Sequence, residues 1–166
     1  MTNRGATRSK LGDTVRESKN IYFLRMAQLV ATQGTCLRRQ VGAVAVNARG
    51  HVMATGYNGV PSGVSHCNEG HPCPGAGATS GTDLDRCLAV HAEVNLLAQC
   101  RDVWEIDTVY LTASPCFSCT KALLTSGTRR LVYLELYPHP ASRALWTGTG
   151  RLWEHHVELP VEINHG

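Results

Sequence analysis

No apolar run in the sequence approaches the ~20 residues a helix needs to span a bilayer, and the first residues lack the hydrophobic stretch of an export signal. These absences exclude a membrane-spanning helix and lead us to expect a cytoplasmic protein. No segment repeats, so the chain is not read as a repeat array. An excess of charge is also missing: the net charge is only +3, and charged residues make up 17% of the chain. Much of the positive charge lies at the start, in Arg4, Arg8, Lys10, Arg16 and Lys19. No aromatic residue interleaves these charges before Tyr22, which argues against a nucleic-acid surface and for a solvated, mobile arm over residues 1–18. With 43% apolar residues, the remaining stretch 19–166 is expected to form one domain, long enough to bury about two-thirds of its unfolded surface.

Cysteine is abundant. There are seven, an odd number, in a chain without an export signal, so metal ligation is a better reading than disulfides. They fall in groups: Cys36; then Cys67, Cys73 and Cys87; then Cys100; then Cys116 and Cys119.

Apolar residues Phe23, Met26, Ala27, Val30 and Ala31 keep helical spacing over 17–32, with Gly34 as a C-terminal stop. The stretch QVGAVAVNARGHVMATGY reads as two strands joined by the turn NARG. A helix is expected over about 90–101, with Val94, Leu97 and Ala98 packing it onto a sheet. DTVYLTAS reads as a buried strand, CFSCTKALLTSG as a short helix closed by Gly127, and RRLVYLELY as another strand. ASRALWTG is a weaker helix, and HHVELPVEI a last strand placed at an edge by Pro160. The order α-β-β-α-β-α-β-α-β predicts a mixed sheet with helices on its faces, an α/β layered domain. Between Gly59 and Arg86 lies a long aperiodic loop, which in a compact domain needs a reason. Part of it, PGAGATSGT, could be a disordered insertion. Its flanks, however, carry His66, Cys67, His71, Cys73 and Cys87, the makings of a metal-stapled loop, and we favour that reading.

The helix over 90–101 opens with His91-Ala92-Glu93, and SPCFSC follows with Cys116 and Cys119 in a C-x-x-C pair. Either motif alone is weak: a His and a Glu at a helix start suit the dipole, and a C-x-x-C pair can be a redox couple. Together they supply one imidazole and two thiolates, a three-ligand set for a catalytic zinc that keeps a position open for water. Glu93, two residues beyond His91, points differently and is free to carry protons. H-x-E with a later P-C-x-x-C is a known signature of zinc nucleobase deaminases, in which water attacks C4 of cytosine and the Glu passes its proton to ring N3.

The pieces CLRRQVGAV, GYNGVPSGVSHC, VHAEVNLLAQC, SPCFSCTKALLTSG and RLVYLELY run in order from about residue 20 to 137, and on them the sequence resembles the deoxycytidylate (dCMP) deaminase family. The resemblance implies a three-layer α/β/α cytidine deaminase-like fold with a mixed five-stranded sheet, and hydrolytic deamination of dCMP to dUMP and ammonia. It implies His91, Cys116 and Cys119 as ligands of a catalytic Zn²⁺ and Glu93 as proton shuttle. Asn58 of GYNG matches a residue that contacts the substrate's sugar, and Ala92 accompanies it at the substrate. Arg38 is a candidate for the phosphate, against a solvated surface charge. Tyr137 is a candidate to pack on the nucleotide, against a plain end-of-strand aromatic. Cys36, Cys67, Cys73 and Cys87 match the ligands of a second, structural zinc, with His66 or His71 able to replace one of them; Cys100 is left over. Many family members are activated by dCTP and inhibited by dTTP. Here the region Gly56, Tyr57, Asn58 and Gly59 would contribute to the effector site, with Mg²⁺ accompanying the nucleotide. A homo-oligomer such as a hexamer is expected, with no membrane or nucleic-acid partner. PGAGATSGT and the stretch after Tyr137 match the family poorly. The competing readings are a deaminase of another free cytosine nucleotide (dCTP or 5-substituted dCMP), a nucleic-acid deaminase, and a non-catalytic zinc protein that binds nucleotides. The intact Glu93 argues against the last of these, since a binding module has no use for a proton shuttle.

Overall fold

A computed structural model describes residues 16–79, 82, 86–137, 139–157 and 159. The basic arm expected over 1–18 lies almost wholly outside them, as does Pro160. Helix α1 (Lys19–Ala31) starts where the Ser18 hydroxyl accepts a bond from the Ile21 amide at 3.3 Å, which satisfies one of the free donors of the first turn. It buries Phe23, Leu24, Ala27 and Ala31, and Phe23 packs on Tyr110 with ring centroids 5.0 Å apart. Strands β1 (Gly42–Val46) and β2 (Val52–Tyr57) form the expected antiparallel hairpin, turning through NARG with Gly50 at φ +79°. Then follow α2 (Ala92–Gln99), β3 (Thr108–Ala113), α3 (Phe117–Leu124), β4 (Arg130–Glu135), α4 (Pro140–Thr147) and β5 (Leu152–His155).

The five strands lie in the order β2-β1-β3-β4-β5. β1 is antiparallel to both neighbours, while β3, β4 and β5 run parallel, so the sheet is mixed. Alternation along the strands sends Val44, Val46, Tyr110 and Val132 to the α1 face. Ala43, Ala45, Val109, Leu111 and Leu131 go to the other face, against Leu96 of α2, Leu123 of α3 and Trp146 of α4. This is the three-layer α/β/α arrangement that the sequence implied. No helix among the described residues is long and apolar enough to cross a membrane.

Two expectations are corrected. Among the described residues the last strand is Leu152–His155, so it begins before HHVELPVEI and shares His155 with it; residues 158 and 160–163 of that stretch lie outside the described residues. Its side of the core is supplied by Trp153, which packs on Tyr133 and Trp146, and Trp146 donates its indole N–H to the Leu152 carbonyl at 2.9 Å. In α2, Val94 and Ala98 face solvent, and only Leu97 of the expected trio packs on the core. The buried residues are Ala92, Glu93 and Leu96, because the helix turns toward the sheet the face that carries the glutamate.

That seating is tight. A Cβ on Gly56 of β2 would lie 2.2 Å from the Ala92 carbonyl oxygen and 2.5 Å from the Leu96 nitrogen, both backbone atoms of α2. At the far edge, Arg130 of β4 grips Glu154 of β5 through two hydrogen bonds, of 2.9 and 2.5 Å. It also donates to Asn20 of α1 at 3.2 Å. The Arg130 guanidinium holds the Glu154 carboxyl below its ordinary value. A depressed carboxylate pKa stabilises the fold above the unfolded value, and that contribution is lost as the pH falls through the folded one.

Two tests follow from these contacts. Gly56→Ala is expected to destabilise the chain by about 2–3 kcal/mol in urea unfolding, since neither backbone can yield cheaply. Glu154→Gln is expected to cost about 0.5–1 kcal/mol at pH 7, as befits a half-exposed pair, and the difference from the parent should shrink as the pH falls below about 4.5. A gap that stayed constant from pH 7 to pH 3 would show that the ion pair contributes nothing.

Candidate active site

Three chain segments meet at one end of the sheet. An isolated bridge between Gly59 and Val90, with amide-to-carbonyl distances of 2.8 and 3.2 Å in the two directions, fixes the approach to α2. His91 is therefore the N-cap of α2, in extended conformation, and its ring is not spent on capping. The chain leaving β3 through Ser114-Pro115 makes Cys116 the N-cap of α3, where its sulfur accepts from the Cys119 amide at 3.5 Å. His91 Nδ1 lies 3.5 Å from Cys116 Sγ and 3.3 Å from Cys119 Sγ. Among the described residues, these three side chains form the group whose ligand atoms all lie within 4.8 Å of one another. One nitrogen and two soft sulfurs converging from two helix starts fit a zinc ion, and three protein ligands leave a position free.

The electrostatics agree with the geometry. The bond from the Cys119 thiol, together with nearby His91, brings Cys116 down to about 4, and Cys119 is pushed up in return. The sulfur pair thus shares one proton, which a metal ion would displace. The His91 ring is raised, chiefly by its bond to Cys116. Glu93 is buried with its carboxyl pushed upward by desolvation, and it reaches the Cys119 side chain. A carboxyl so placed favours holding a proton, as a shuttle must do in half of its cycle.

His91, Glu93 and Cys116 line a cavity together with Asn58, Arg38 and Tyr137. All three substrate candidates are thus at the site, and so is Ala92. Asn58 is more than a turn residue: its Oδ1 accepts from the Val41 amide at 2.7 Å and its Nδ2 donates to the Arg39 carbonyl at 2.6 Å, tying the lead-in of β1 to the end of β2. Arg38 is partly exposed, and its Nη2 donates to the carbonyls of Thr79 and Thr82 at 2.5 and 2.8 Å. Tyr137 is anchored by its amide, which donates to Ser114 Oγ at 2.8 Å. Sequence reasoning missed Ser114, Arg39 and Asn95. The Asn95 amide donates to the Tyr57 carbonyl at 2.8 Å and ties α2 to β2; its place two residues after Glu93 was the available signal. Arg39, also at the cavity, is paired with Glu135.

The glycines proposed for an effector are otherwise engaged. The bare Cα of Gly56 is what lets α2 approach, and the Gly59 amide is committed to Val90.

The described part of the long loop is tied down by hydrogen bonds and burial. Gly75 is buried against Cys87, and its amide donates to the Arg86 carbonyl at 3.0 Å. Cys73 is held below its ordinary value mainly by the Leu88 backbone; it and the nearby Cys67 and Cys87 thiols influence one another's titration, and Cys36 acts on Cys67 and Cys87 electrostatically. These four sulfurs are more loosely grouped than the His91 site. His66 has a buried, unpartnered Nδ1 and His71 is exposed. Cys100 stands apart, its thiol donating to the Asp102 carbonyl.

Comparison with known proteins agrees with this geometry. Residues 17–135 match the family described as the cytidine and deoxycytidylate deaminase zinc-binding region. The chain is 41% identical over 120 residues to a deoxycytidylate deaminase of Mycobacterium phage D29, covering 68% of this chain and 91% of that one. It is 39% identical over 126 residues to the deoxycytidylate deaminase of Schizosaccharomyces pombe, covering 74% of this chain and 38% of that protein, so it spans about two-fifths of the yeast relative's length. A crystal structure of a dCMP deaminase from the cyanophage S-TIM5, in complex with dCMP and dUMP, superposes with a TM-score of 0.65 at 26% identity, covering 81% of this chain and 94% of that one.

Proposed function

The chain belongs to the cytidine and deoxycytidylate deaminase zinc-binding family, and from that premise we propose that it deaminates dCMP with water to give dUMP and ammonia. The observation that carries this reading is the convergence of His91, Cys116 and Cys119 beside a buried Glu93 at the floor of a cavity. The cyanophage enzyme that holds dCMP and dUMP supports the choice of substrate.

In this reading His91 Nδ1 and the sulfurs of Cys116 and Cys119 hold the catalytic zinc. A zinc ion bound there supplies a Lewis acid and lowers the pKa of water toward neutrality. Glu93 accepts the proton of the attacking water, delivers it to ring N3, and then assists the 4-amino group to leave as ammonia. Burial raises this carboxyl's proton affinity. Asn58, with one amide hydrogen not used by Arg39, serves the sugar; Tyr137 packs on the nucleotide, and Arg38 takes the phosphate. A second, structural zinc at Cys36, Cys67, Cys73 and Cys87 would explain why four thiols sit around a glycine-rich loop, with the unpartnered Nδ1 of His66 as a substitute ligand. Control by dCTP and dTTP would have to use groups other than the Gly56 Cα and the Gly59 amide.

Glu93→Gln is expected to retain fold and metal but to lower kcat for dCMP by about 10³-fold, measured as ammonia released. Activity within tenfold of the parent would remove Glu93 from the mechanism. Metal analysis of the purified chain is expected to find two zinc ions per subunit. Cys67→Ser with Cys73→Ser should leave one, with a lower melting temperature and an intact catalytic zinc; a double variant that keeps both ions and its melting temperature would show that the loop is not a zinc staple.

A further inference from the structure

Strand β3 ends in a parallel ladder with β4 whose last paired residues are Ala113 and Glu135, and the amide of the next residue, Ser114, donates to the Glu135 carbonyl at 2.8 Å. Evenly spaced parallel bonds would continue with the Tyr137 amide donating to the Ser114 carbonyl. That amide donates instead to the Ser114 hydroxyl, at 2.8 Å. The side chain thus stands in for its own backbone as the acceptor of one more rung. Directly afterwards Pro115, which has no N–H, ends the ladder on the β3 side. The substitution joins two parts of the cavity. Ser114 is only 3% exposed and lines it, on the turn that leads to Cys116. Tyr137 lines it from the exit of β4, where its phenol is pushed up by burial and next by the Cys116 thiolate.

We infer that Ser114 is a positioning residue: its hydroxyl fixes the backbone of Tyr137 against the turn that leads to Cys116, and thereby sets where the tyrosine ring stands relative to the bound nucleotide. The inference rests on dCMP deamination as the reaction and on Tyr137 packing against the substrate. Alanine at this position removes the acceptor of a buried amide, and such an amide seeks another partner. The acceptor that regular pairing provides is the Ser114 carbonyl, so the ladder would close by its ordinary rung and carry Tyr137 with it. The fold would survive that exchange, because the paired strands before it are untouched, while the ring would leave its place in the cavity.

The test is steady-state kinetics on dCMP, with calorimetric binding of dUMP and zinc content as readouts independent of turnover. Ser114→Ala should raise KM by about 3- to 10-fold and weaken dUMP binding to the same degree, with kcat within about twofold of the parent and the zinc content unchanged. Ser114→Thr, which keeps the hydroxyl, should stay within about twofold in KM. On a Tyr137→Ala background, Ser114→Ala should change KM by less than about twofold, since the ring it positions is gone. An equal rise in KM on both backgrounds would overturn the inference, because Ser114 would then act otherwise than through Tyr137. An unchanged KM in Ser114→Ala, a Thr variant as weak as the Ala one, or a loss of zinc and kcat in place of the rise in KM would overturn it as well, each leaving dCMP deamination standing. A parent protein that releases no ammonia from dCMP would instead overturn the functional reading beneath it.

Discussion

The contact between α2 and β2 sets the position of nearly every group at the site. Gly56 lets the helix backbone come within the distance a single methyl would fill, and the Gly59–Val90 bridge and the Asn95–Tyr57 hydrogen bond lock it there on either side. With α2 so close, the first turn cannot rotate, and Ala92, Glu93 and Leu96 all face inward. A glutamate on the buried side of a helix is normally a liability, because desolvation acts against its charge. Here the same desolvation raises its proton affinity, which is the property a proton carrier needs. Packing and chemistry at this helix are therefore one constraint: loosening the seat would hydrate the carboxyl and shift His91 away from the sulfurs together.

How much of this could be read from the residues depended on whether the information was local. The hairpin at NARG, the helix ending near Gly34 and the C-x-x-C start of α3 follow from turn chemistry and spacing over a few residues, and they were legible. The grouping of His91, Cys116 and Cys119 was legible because a three-ligand metal set restricts residue types more severely than a core does. The facing of α2 was not: Val94 and Ala98 fit a helical stripe, and only the absence of a side chain at Gly56, in another element, reveals which face the sheet accepts. The start of the last described strand at Leu152 was missed for a related reason, since Trp153 finds its partners in Tyr133 and Trp146, on other elements. The holding of Arg38 could not be read at all, because backbone carbonyls leave no mark in a sequence.

The distribution of charge around the cavity gives it a direction. At one end, His91 and the two cysteines surround the space for a cation, and Glu93 waits with a raised proton affinity. On the same lining, Arg38 is held by the carbonyls of Thr79 and Thr82 and paired with no carboxylate among the described residues, while Arg39 beside it is paired with Glu135. A ligand entering this cavity therefore meets a space for a cation, a carboxyl of raised proton affinity and a guanidinium held by neutral carbonyls within one lining, and the Coulomb interactions among them strengthen steeply as water leaves.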